Sequence, residues 1–323
     1  MYKRFGFKRV CIFILIFVFG VQFALCGCSK AVSPYSTYVD GRLSVTFISG
    51  RGECIFIVLP NGKTMLIDSG VNTIESYENL TYCLGSNTSI DYFILTNPDF
   101  DHIGNAVKII NDYTVKSAYI PYLVNEQVFS EYANVKKELK GNHIPITYSC
   151  ALTSFSTQEY TMAMLSPNSV ELGGYREINL AESPTNSMID EISAVLYLEY
   201  KGVRFLFASD INSNIEQTLV NNYRSGFYNT AIGQGVINIS FVDFIKLSHH
   251  GNAGASCTEF LELTYPKNAI ITIGGDSSKY PASSVLTRLV KINPNVNIAR
   301  TDFNGNITVC VHANGSVQMV TES

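Results

Sequence analysis

Beyond its first 28 residues the sequence lacks closely spaced cysteines. It has eight cysteines in 323 residues, and none of them forms a Cys-x-x-Cys pair. Three lie within the first 28 residues, and the other five are far apart, at Cys54, Cys83, Cys150, Cys257 and Cys310. An odd and widely spaced set excludes a disulfide framework and a cysteine-based zinc knuckle. We therefore predict that most of these five side chains are buried as small apolar groups.

Charged residues are also absent from a long N-terminal stretch. Lys3, Arg4, Lys8 and Arg9 precede an apolar run over residues 10–21, and no further charge occurs until residue 30. A basic start followed by such a run predicts a secretory signal peptide. An uncleaved membrane anchor is the alternative at this length.

The end of that segment indicates a lipid anchor. Leu25-Cys26-Gly27-Cys28 resembles the bacterial lipobox, which would make Cys28 the lipidated first residue of the mature chain. Several acyl chains on one cysteine anchor a protein firmly, since each buried methylene contributes about 0.8 kcal/mol. We predict a signal peptide over residues 1–27, a polar tether over 28–41 and a domain over 42–323, lipid-anchored to the cell membrane on its extracytoplasmic side. Plain secretion, with an accidental cysteine, is the alternative.

Positive charge is scarce in the predicted mature chain. The whole chain has a formal net charge of −4, and residues 1–27 contain four basic and no acidic side chains. Removing those four positive charges changes −4 to −8, and no run of basic residues remains. Non-specific binding of nucleic acid depends on neutralisation of phosphates by Lys and Arg. Long duplex DNA is therefore not an expected partner.

From residue 43 onward, strand and helix patterns alternate without an internal repeat. Runs rich in β-branched and aromatic residues predict strands, and Asn61-Gly62, Lys201-Gly202 and Asn314-Gly315 predict hairpin turns. Residues 166–192 lack periodicity and are predicted to form a long surface loop, a kind of segment that is often functional. Helices are predicted at Ile74–Leu84, Ile103–Ile110, Glu126–Lys140, Ile211–Tyr223 and Ser283–Ile292.

Carboxylate and imidazole groups follow four of the predicted strands. The chain has five histidines, and three of them belong to this set. Sites in layered α/β folds are built at the carboxyl ends of strands, so the pattern favours a metal site. The alternative for Asn97–His102 is an acidic turn that opens a helix, and Asp68 equally fits a residue that closes its own turn. The set is Asp68, Asn97, Asp99, Asp101, His102, Asp210, His249 and His250.

The motifs around these residues occur in a characteristic order. They are SGRGE at 49–53, IDSG at 67–70, NPDFDHIGN at 97–105, LFASD at 206–210 and HHGN at 249–252. They resemble the VGQGD, IDGG, HPDADHIGG, LLTGD and HHGS motifs of the metallo-β-lactamase superfamily, and within it the soluble hydrolase domain of ComEC-like competence proteins. The resemblance extends from about residue 43 to the C-terminus. It implies a mixed α/β fold, a four-layer αββα sandwich with a metal site at one edge.

The resemblance also implies which side chains act. Asp101, Asp210 and His250 would be catalytic, and one histidine of the 249/250 pair would bind metal while the other hydrogen-bonds nearby. The implied metal ligands are Asn97, Asp99, Asp101, His102, Asp210, His249 and His250.

Two departures from the family pattern weaken one metal position. Asn97 stands where the family has a histidine, and Lys279-Tyr280-Pro281 lacks the family's late histidine. An amide oxygen is a poorer zinc ligand than an imidazole. We therefore expect one firm site for Zn²⁺ or Mn²⁺ and a weak or absent second site.

The implied activity is metal-dependent hydrolysis of a phosphodiester. The substrate would be a small molecule, a cell-envelope component or a nucleic acid other than long duplex DNA. A catalytically impaired protein that binds a ligand or partner without turnover is the alternative, and Asn97 is the residue that favours it.

Overall fold

The structure is a computed structural model of the chain, and it describes residues 32–123, 128–168, 185–229, 236–273 and 279–322. Within these ranges, no helix is both long enough and apolar enough to cross a bilayer. The predicted signal peptide and Cys28 lie outside the described residues, so both remain predictions.

Strands and helices alternate along the described chain. The strands are β1 (Leu43–Phe47), β2 (Ile55–Val58), β3 (Thr64–Ile67), β4 (Ser89–Ile90), β5 (Tyr92–Ile94), β6 (Thr114–Val115), β7 (Ala118–Ile120), β8 (Ile146–Tyr148), β9 (Tyr160–Ser166), β10 (Val195–Tyr200), β11 (Val203–Phe207), β12 (Phe244–Lys246), β13 (Asn268–Ile271), β14 (Asn297–Arg300), β15 (Asn306–Val311) and β16 (Val317–Glu322). The helices are α1 (Ile74–Leu84), α2 (Phe100–Ile103), α3 (Ala106–Asp112), α4 (Ser130–Gly141), α5 (Asn186–Asp190), α6 (Ser213–Arg224), α7 (Thr258–Thr264), α8 (Ser283–Ile292) and α9 (Thr301–Asn304). Short 3₁₀ turns occur at Phe227–Asn229 and Ser248–Gly251.

Two large mixed sheets form the framework. The first has the order β16-β15-β1-β2-β3-β5-β7-β8, and the second has the order β14-β13-β12-β11-β10-β9. Strands β3, β5, β7 and β8 are parallel neighbours, as are β11, β12, β13 and β14. Parallel strands end at the same edge of a sheet, so the segments that follow them lie together.

The sheets pack face to face, and helices cover both outer faces. The sequence of strand β2 is continuously apolar because both of its faces are buried. Ile55 and Ile57 pack in the core shared by the two sheets, whereas Phe56 and Val58 pack in the core that contains α1, α3 and α4. A third core joins the other face of the second sheet to α6, α7 and α8. A strand covered on both faces needs apolar residues at every position. The predicted four-layer αββα sandwich is confirmed.

The predicted helices agree with the structure in most places. The bounds of α1 and α8 match the prediction, while the predicted helix Ile103–Ile110 is wrong as a single element. It is divided into α2 and α3, because Asn105 turns its Nδ2 to the carbonyls of Ser69 and Val71, both at 2.9 Å. The predicted start of α4 falls partly in residues 124–127, outside the described residues.

The predicted loop 166–192 needs a correction at its end. Residues 169–184 lie outside the described ranges, but Asn186–Asp190 forms helix α5. Thr185 caps this helix, since its hydroxyl oxygen accepts the Met188 N–H at 3.3 Å. The cysteines behave as predicted, with Cys54, Cys83 and Cys310 buried as free thiols.

Residues 32–41, from the predicted tether, pack against the C-terminal end of α1. Ser33 donates its N–H to the Tyr82 carbonyl at 3.0 Å, and Asn87 donates its side-chain N–H to the Ser36 carbonyl at 2.8 Å. Both serines are buried. The division between tether and domain at residue 42 stays a prediction.

Candidate metal centre

The polar side chains predicted from the strand ends converge at one edge of the sandwich. Asp68 follows β3, His102 follows β5, Asp210 follows β11 and His250 follows β12. Glu53, His102, Asp210 and His250 each offer one ligand atom, and these four atoms lie within 4.8 Å of one another. All four residues are buried. We call Glu53, His102, Asp210 and His250 the candidate metal-binding group.

His102 is oriented by Asp68. Its Nδ1 lies 2.8 Å from Asp68 Oδ2, and a carboxylate can only accept, so Nδ1 carries the proton. Asp68 is itself held by the Thr96 N–H at 2.7 Å and the Thr96 hydroxyl at 2.6 Å. His102 Nε2 then faces Asp210 Oδ2 at 3.2 Å and makes no hydrogen bond with described residues. This is the arrangement in which an outer carboxylate fixes the tautomer of a metal-binding histidine.

His250 is oriented in the same manner by a backbone carbonyl. Its Nδ1 lies 2.8 Å from the Thr272 carbonyl oxygen, which can only accept, so Nδ1 again carries the proton. Its Nε2 lies 3.4 Å from Asp101 Oδ2 and 3.5 Å from Asp210 Oδ1 and is likewise without a hydrogen bond to the described residues. Two buried imidazole Nε2 atoms therefore face one carboxylate, that of Asp210.

This donor set fits a transition-metal ion. Buried polar atoms are rarely left without partners, because each one costs about 1–3 kcal/mol. A divalent ion would satisfy both Nε2 atoms and would neutralise the repulsion between Asp101 and Asp210. A mixture of imidazole nitrogen and carboxylate oxygen suits Zn²⁺ or Mn²⁺ better than Ca²⁺, which needs six or more oxygens.

A buried lysine lies beside the group. Lys246 is fully buried, its Nζ donates to the Ser209 carbonyl at 2.9 Å, and the same atom lies 3.4 Å from Asp210 Oδ1 and in contact with Glu53. Burial alone would lower the pKa of Lys246, but Glu53 and Asp210 raise it above its ordinary value. Glu53 is therefore the counterion of Lys246 as well as a member of the candidate metal-binding group.

The Asp210 carboxylate lies within 3.5 Å of His102, His250 and Lys246. Burial alone would raise its pKa, but His250, His102 and Lys246 hold the pKa of Asp210 well below its ordinary range. Burial alone would lower the pKa of His102, but Asp210, Asp68 and Asp101 raise this pKa when no ion is present. An ionised Asp210 with two oxygens facing different imidazoles is suited to share a cation between them.

His249 lies beside the candidate metal-binding group but is not one of its four members. Its Nδ1 lies 3.4 Å from Asp190 Oδ2 and its Nε2 lies 3.7 Å from Asp210 Oδ2. The two histidines diverge because both have left-handed backbones, with φ of 48° and 54°, and Gly251 follows with φ of 79°. A side chain at Gly251 would meet Pro281 Cβ at 2.7 Å, so a glycine is needed there.

Asn97 and Asp99 occupy different positions from those of the group. Asn97 is buried, its Oδ1 accepts the Asp99 N–H at 2.9 Å and its Nδ2 donates to Ser193 Oγ at 2.9 Å. Burial, with Asp101, Asp210 and Asp190, raises the pKa of Asp99 to about 6 against the opposing effect of His102. Both residues lie outside the four-residue group, and their roles as ligands stay predictions.

Sequence reasoning assigned no role to Glu53, Lys246 or Asp190. Glu53 belongs to the SGRGE motif, but its contact partner Lys246 is far away in the sequence. The residues next to Glu53 therefore do not indicate this contact. Asp190 lay within the segment predicted to be a loop. The signal that could have indicated Lys246 is a charged residue inside an apolar strand of a doubly covered sheet.

Known proteins resemble this chain in sequence and in fold. The family model described as the metallo-beta-lactamase superfamily matches residues 50–145. ComE operon protein 3 of Bacillus subtilis (strain 168) is 26% identical over 284 residues, covering 80% of this chain and 31% of that protein. The chain thus spans about a third of the length of this curated relative.

Solved structures add a likeness in fold. CmlA, a diiron beta-hydroxylase from Streptomyces venezuelae, matches with a TM-score of 0.50 and 12% identity, covering 88% of this chain and 55% of that one. A mutant of CmlA matches with a TM-score of 0.50 and 13% identity, covering 82% of this chain and 53% of that one. At such identities the likeness concerns the fold alone. The matching family model, the αββα sandwich and the ordered motifs support membership of the metallo-β-lactamase superfamily and a resemblance to ComE operon protein 3.

Proposed function

We propose that the protein is a metal-dependent hydrolase of phosphodiesters. The observation that carries this proposal is the convergence of His102 Nε2 and His250 Nε2, both buried and both without a hydrogen bond to described residues, on the two oxygens of Asp210. A divalent ion in such a site supplies Lewis-acid polarisation and activates water near neutral pH.

The protein's own residues have separable tasks in this proposal. His102, Asp210 and His250 of the candidate metal-binding group would hold the ion together with the neighbouring Asp101, while Glu53 would remain the counterion of Lys246. The Asp68 carboxylate and the Thr272 carbonyl would keep the two Nε2 atoms unprotonated with the ion bound. Neutral imidazole is the form of histidine that binds metal. No separate protein nucleophile is needed for a hydrolase of this kind.

Charge limits the substrates that we propose. Without residues 1–27 the formal net charge is −8, which disfavours long duplex DNA as a substrate. Small phosphodiesters of the cell envelope and single-stranded nucleic acids remain compatible with this charge.

An activity assay tests the proposal. The purified protein, supplied with Zn²⁺ or Mn²⁺, should hydrolyse bis(4-nitrophenyl) phosphate, and Asp210→Asn should lower kcat/KM by about 100-fold or more. Several kcal/mol of transition-state stabilisation depend on the ion that Asp210 helps to hold, and 2.7 kcal/mol corresponds to about 100-fold. Release of 4-nitrophenol, followed by absorbance, is the measurement.

The control is Asp40→Asn, which neutralises an exposed carboxylate bonded to the Tyr38 hydroxyl. If wild-type protein and Asp40→Asn were no more active than Asp210→Asn, the hydrolase proposal would be wrong.

The second candidate, a protein that binds without turnover, is favoured by Asn97, because both polar atoms of its side chain are engaged in hydrogen bonds within the protein. Tight metal binding together with complete absence of turnover would favour that candidate.

We also propose that the protein acts outside the cytoplasm while anchored through Cys28. The support is the sequence Leu25-Cys26-Gly27-Cys28 at the end of an apolar run with a basic start. Cys28→Ser should leave the precursor at its full length and without lipid. Metabolic labelling with a fatty acid, followed by mass measurement, tests this expectation. Cys26→Ser is the matched control and should mature normally; normal maturation of Cys28→Ser as well would disprove lipid attachment at this residue.

A further inference from the structure

A solvent-open cavity of about 340 Å³ lies beside His249. It adjoins the candidate metal centre, because His249 and Asp190 belong to its wall while His249 Nε2 is also 3.7 Å from Asp210 Oδ2. Its volume is at the lower end of the range of about 300–1,000 Å³ that small-molecule sites occupy. A group leaving the metal centre on this side would enter the cavity.

Amide and hydroxyl groups make up most of the cavity wall. They come from the first residues of α5 and α6 and from the segment after His250. Asn186 and Ser213 are exposed, and neither side chain makes a hydrogen bond to any residue that the structure describes. The Tyr280 hydroxyl accepts a single long bond from Asn252 Nδ2, at 3.4 Å. These groups can both donate and accept toward a ligand.

Charge in the wall argues against a second anionic group. Among the described residues no lysine or arginine lines the cavity, and Asp190 contributes a carboxylate. The N-terminus of α6 offers no free backbone donors either. Asn212 Oδ1 accepts the N–H groups of residues 214 and 215 at 3.1 and 3.3 Å, and the carbonyls of residues 254 and 212 accept those of residues 213 and 216. An anion placed here would face the Asp190 carboxylate and would find no unpaired N–H at the start of α6.

A neutral polyhydroxylated group matches this wall. We propose that the cavity binds the alcohol portion of the phosphodiester, and that this portion is a small polyol such as a glyceryl or sugar unit. The proposal rests on the hydrolase function proposed above. Hydrolysis adds one water across the P–O bond: the hydroxyl goes to phosphorus, and the alcohol oxygen leaves from the cavity side with a proton.

Binding without turnover tests the cavity directly. The probe is glycerophosphoglycerol, a diester with neutral polyol groups on both sides, titrated calorimetrically into the intact protein with a chelator present. Asn186→Ala and Ser213→Ala should each raise its Kd about threefold to tenfold, because each removes a hydrogen-bonding partner of a hydroxyl. Asn221→Leu, on the exposed side of α6 and outside the cavity, is the control and should leave the Kd unchanged.

Activity gives the second readout. With metal present, the ratio of kcat/KM for glycerophosphoglycerol to that for bis(4-nitrophenyl) phosphate should fall in the same two variants. Equal Kd values in wild type and both variants, or tighter binding of a dinucleotide than of glycerophosphoglycerol, would overturn the polyol site. Loss of all turnover with these Kd differences intact would instead overturn the hydrolase function and leave the polyol site in place.

Discussion

Lys246→Met should lower the free energy of unfolding of the metal-free protein by about 3–5 kcal/mol, the usual cost of removing one partner from a buried ion pair. Lys246 is fully buried, and its Nζ contacts Glu53 and lies 3.4 Å from Asp210 Oδ1. Methionine fills a similar volume but carries no charge, so two buried carboxylates would lose their cation. Urea denaturation in the presence of a chelator measures the effect without a contribution from metal.

A second variant distinguishes lost charge pairing from poor packing. In Glu53→Gln/Lys246→Met one of the two uncompensated carboxylates is gone, and we expect at least about half of the lost stability to return. The matched control is Lys267→Met, because Lys267 forms a 2.7 Å ion pair with Asp243 but has a side chain that is 70% exposed. Solvent screens that pair, so its loss should change the stability by no more than about 1 kcal/mol. Equal effects of Lys246→Met and Lys267→Met would contradict the proposed role of the buried pair.

Loss of His102 should abolish tight metal binding. The His102→Ala variant lacks one of the two buried Nε2 atoms that face Asp210, and its affinity for Zn²⁺ should fall by more than the roughly 10–100-fold that loss of an outer partner costs. Asp68→Asn, which keeps the shape but weakens the bond to Nδ1, should fall within that 10–100-fold range. Competition with a chromogenic chelator measures all three affinities.

Metal binding should also appear as stability. At a free metal concentration 1,000-fold above Kd, the free energy of unfolding should rise by about 4 kcal/mol in the wild type, and His102→Ala should lose most of that gain. His312→Ala, which changes a histidine outside the site, is the control and should retain it. Equal metal contents of wild type and His102→Ala after dialysis against a weak chelator would return the Asn97–His102 loop to the status of an acidic turn.

Much of the fold and part of the site could be predicted from local patterns. Helices α1 and α8 have the bounds that the sequence predicts, and each buries the apolar residues on one of its faces. Asp210 and the His249–His250 pair could be placed together because they follow adjacent parallel strands, β11 and β12. Strand ends are recognisable in a sequence, and the topology then brings them to one edge.

The remainder depends on contacts that local patterns do not contain. Lys246 is a charged residue in a short apolar strand. It can be buried because Glu53, from the loop between β1 and β2 of the first sheet, lies beside it as a counterion. The different surroundings of His249 and His250 accompany left-handed backbone angles at both residues, which their sequence does not reveal. The position of Asp190 could not be predicted, because it lies in helix α5, whose five residues are too few to show a helical periodicity.

The candidate metal-binding group has a consequence for the order in which the protein matures. Its outermost members, Glu53 and His250, are about 200 positions apart in the chain and belong to loops of different sheets. Contacts at such sequence separation form late, because the entropy of closing the intervening chain must be overcome first. An ion therefore meets a complete set of ligands only after both halves of the sandwich have joined. Occupancy by metal would report that tertiary folding is finished, and the ion has to be supplied in the compartment where folding ends.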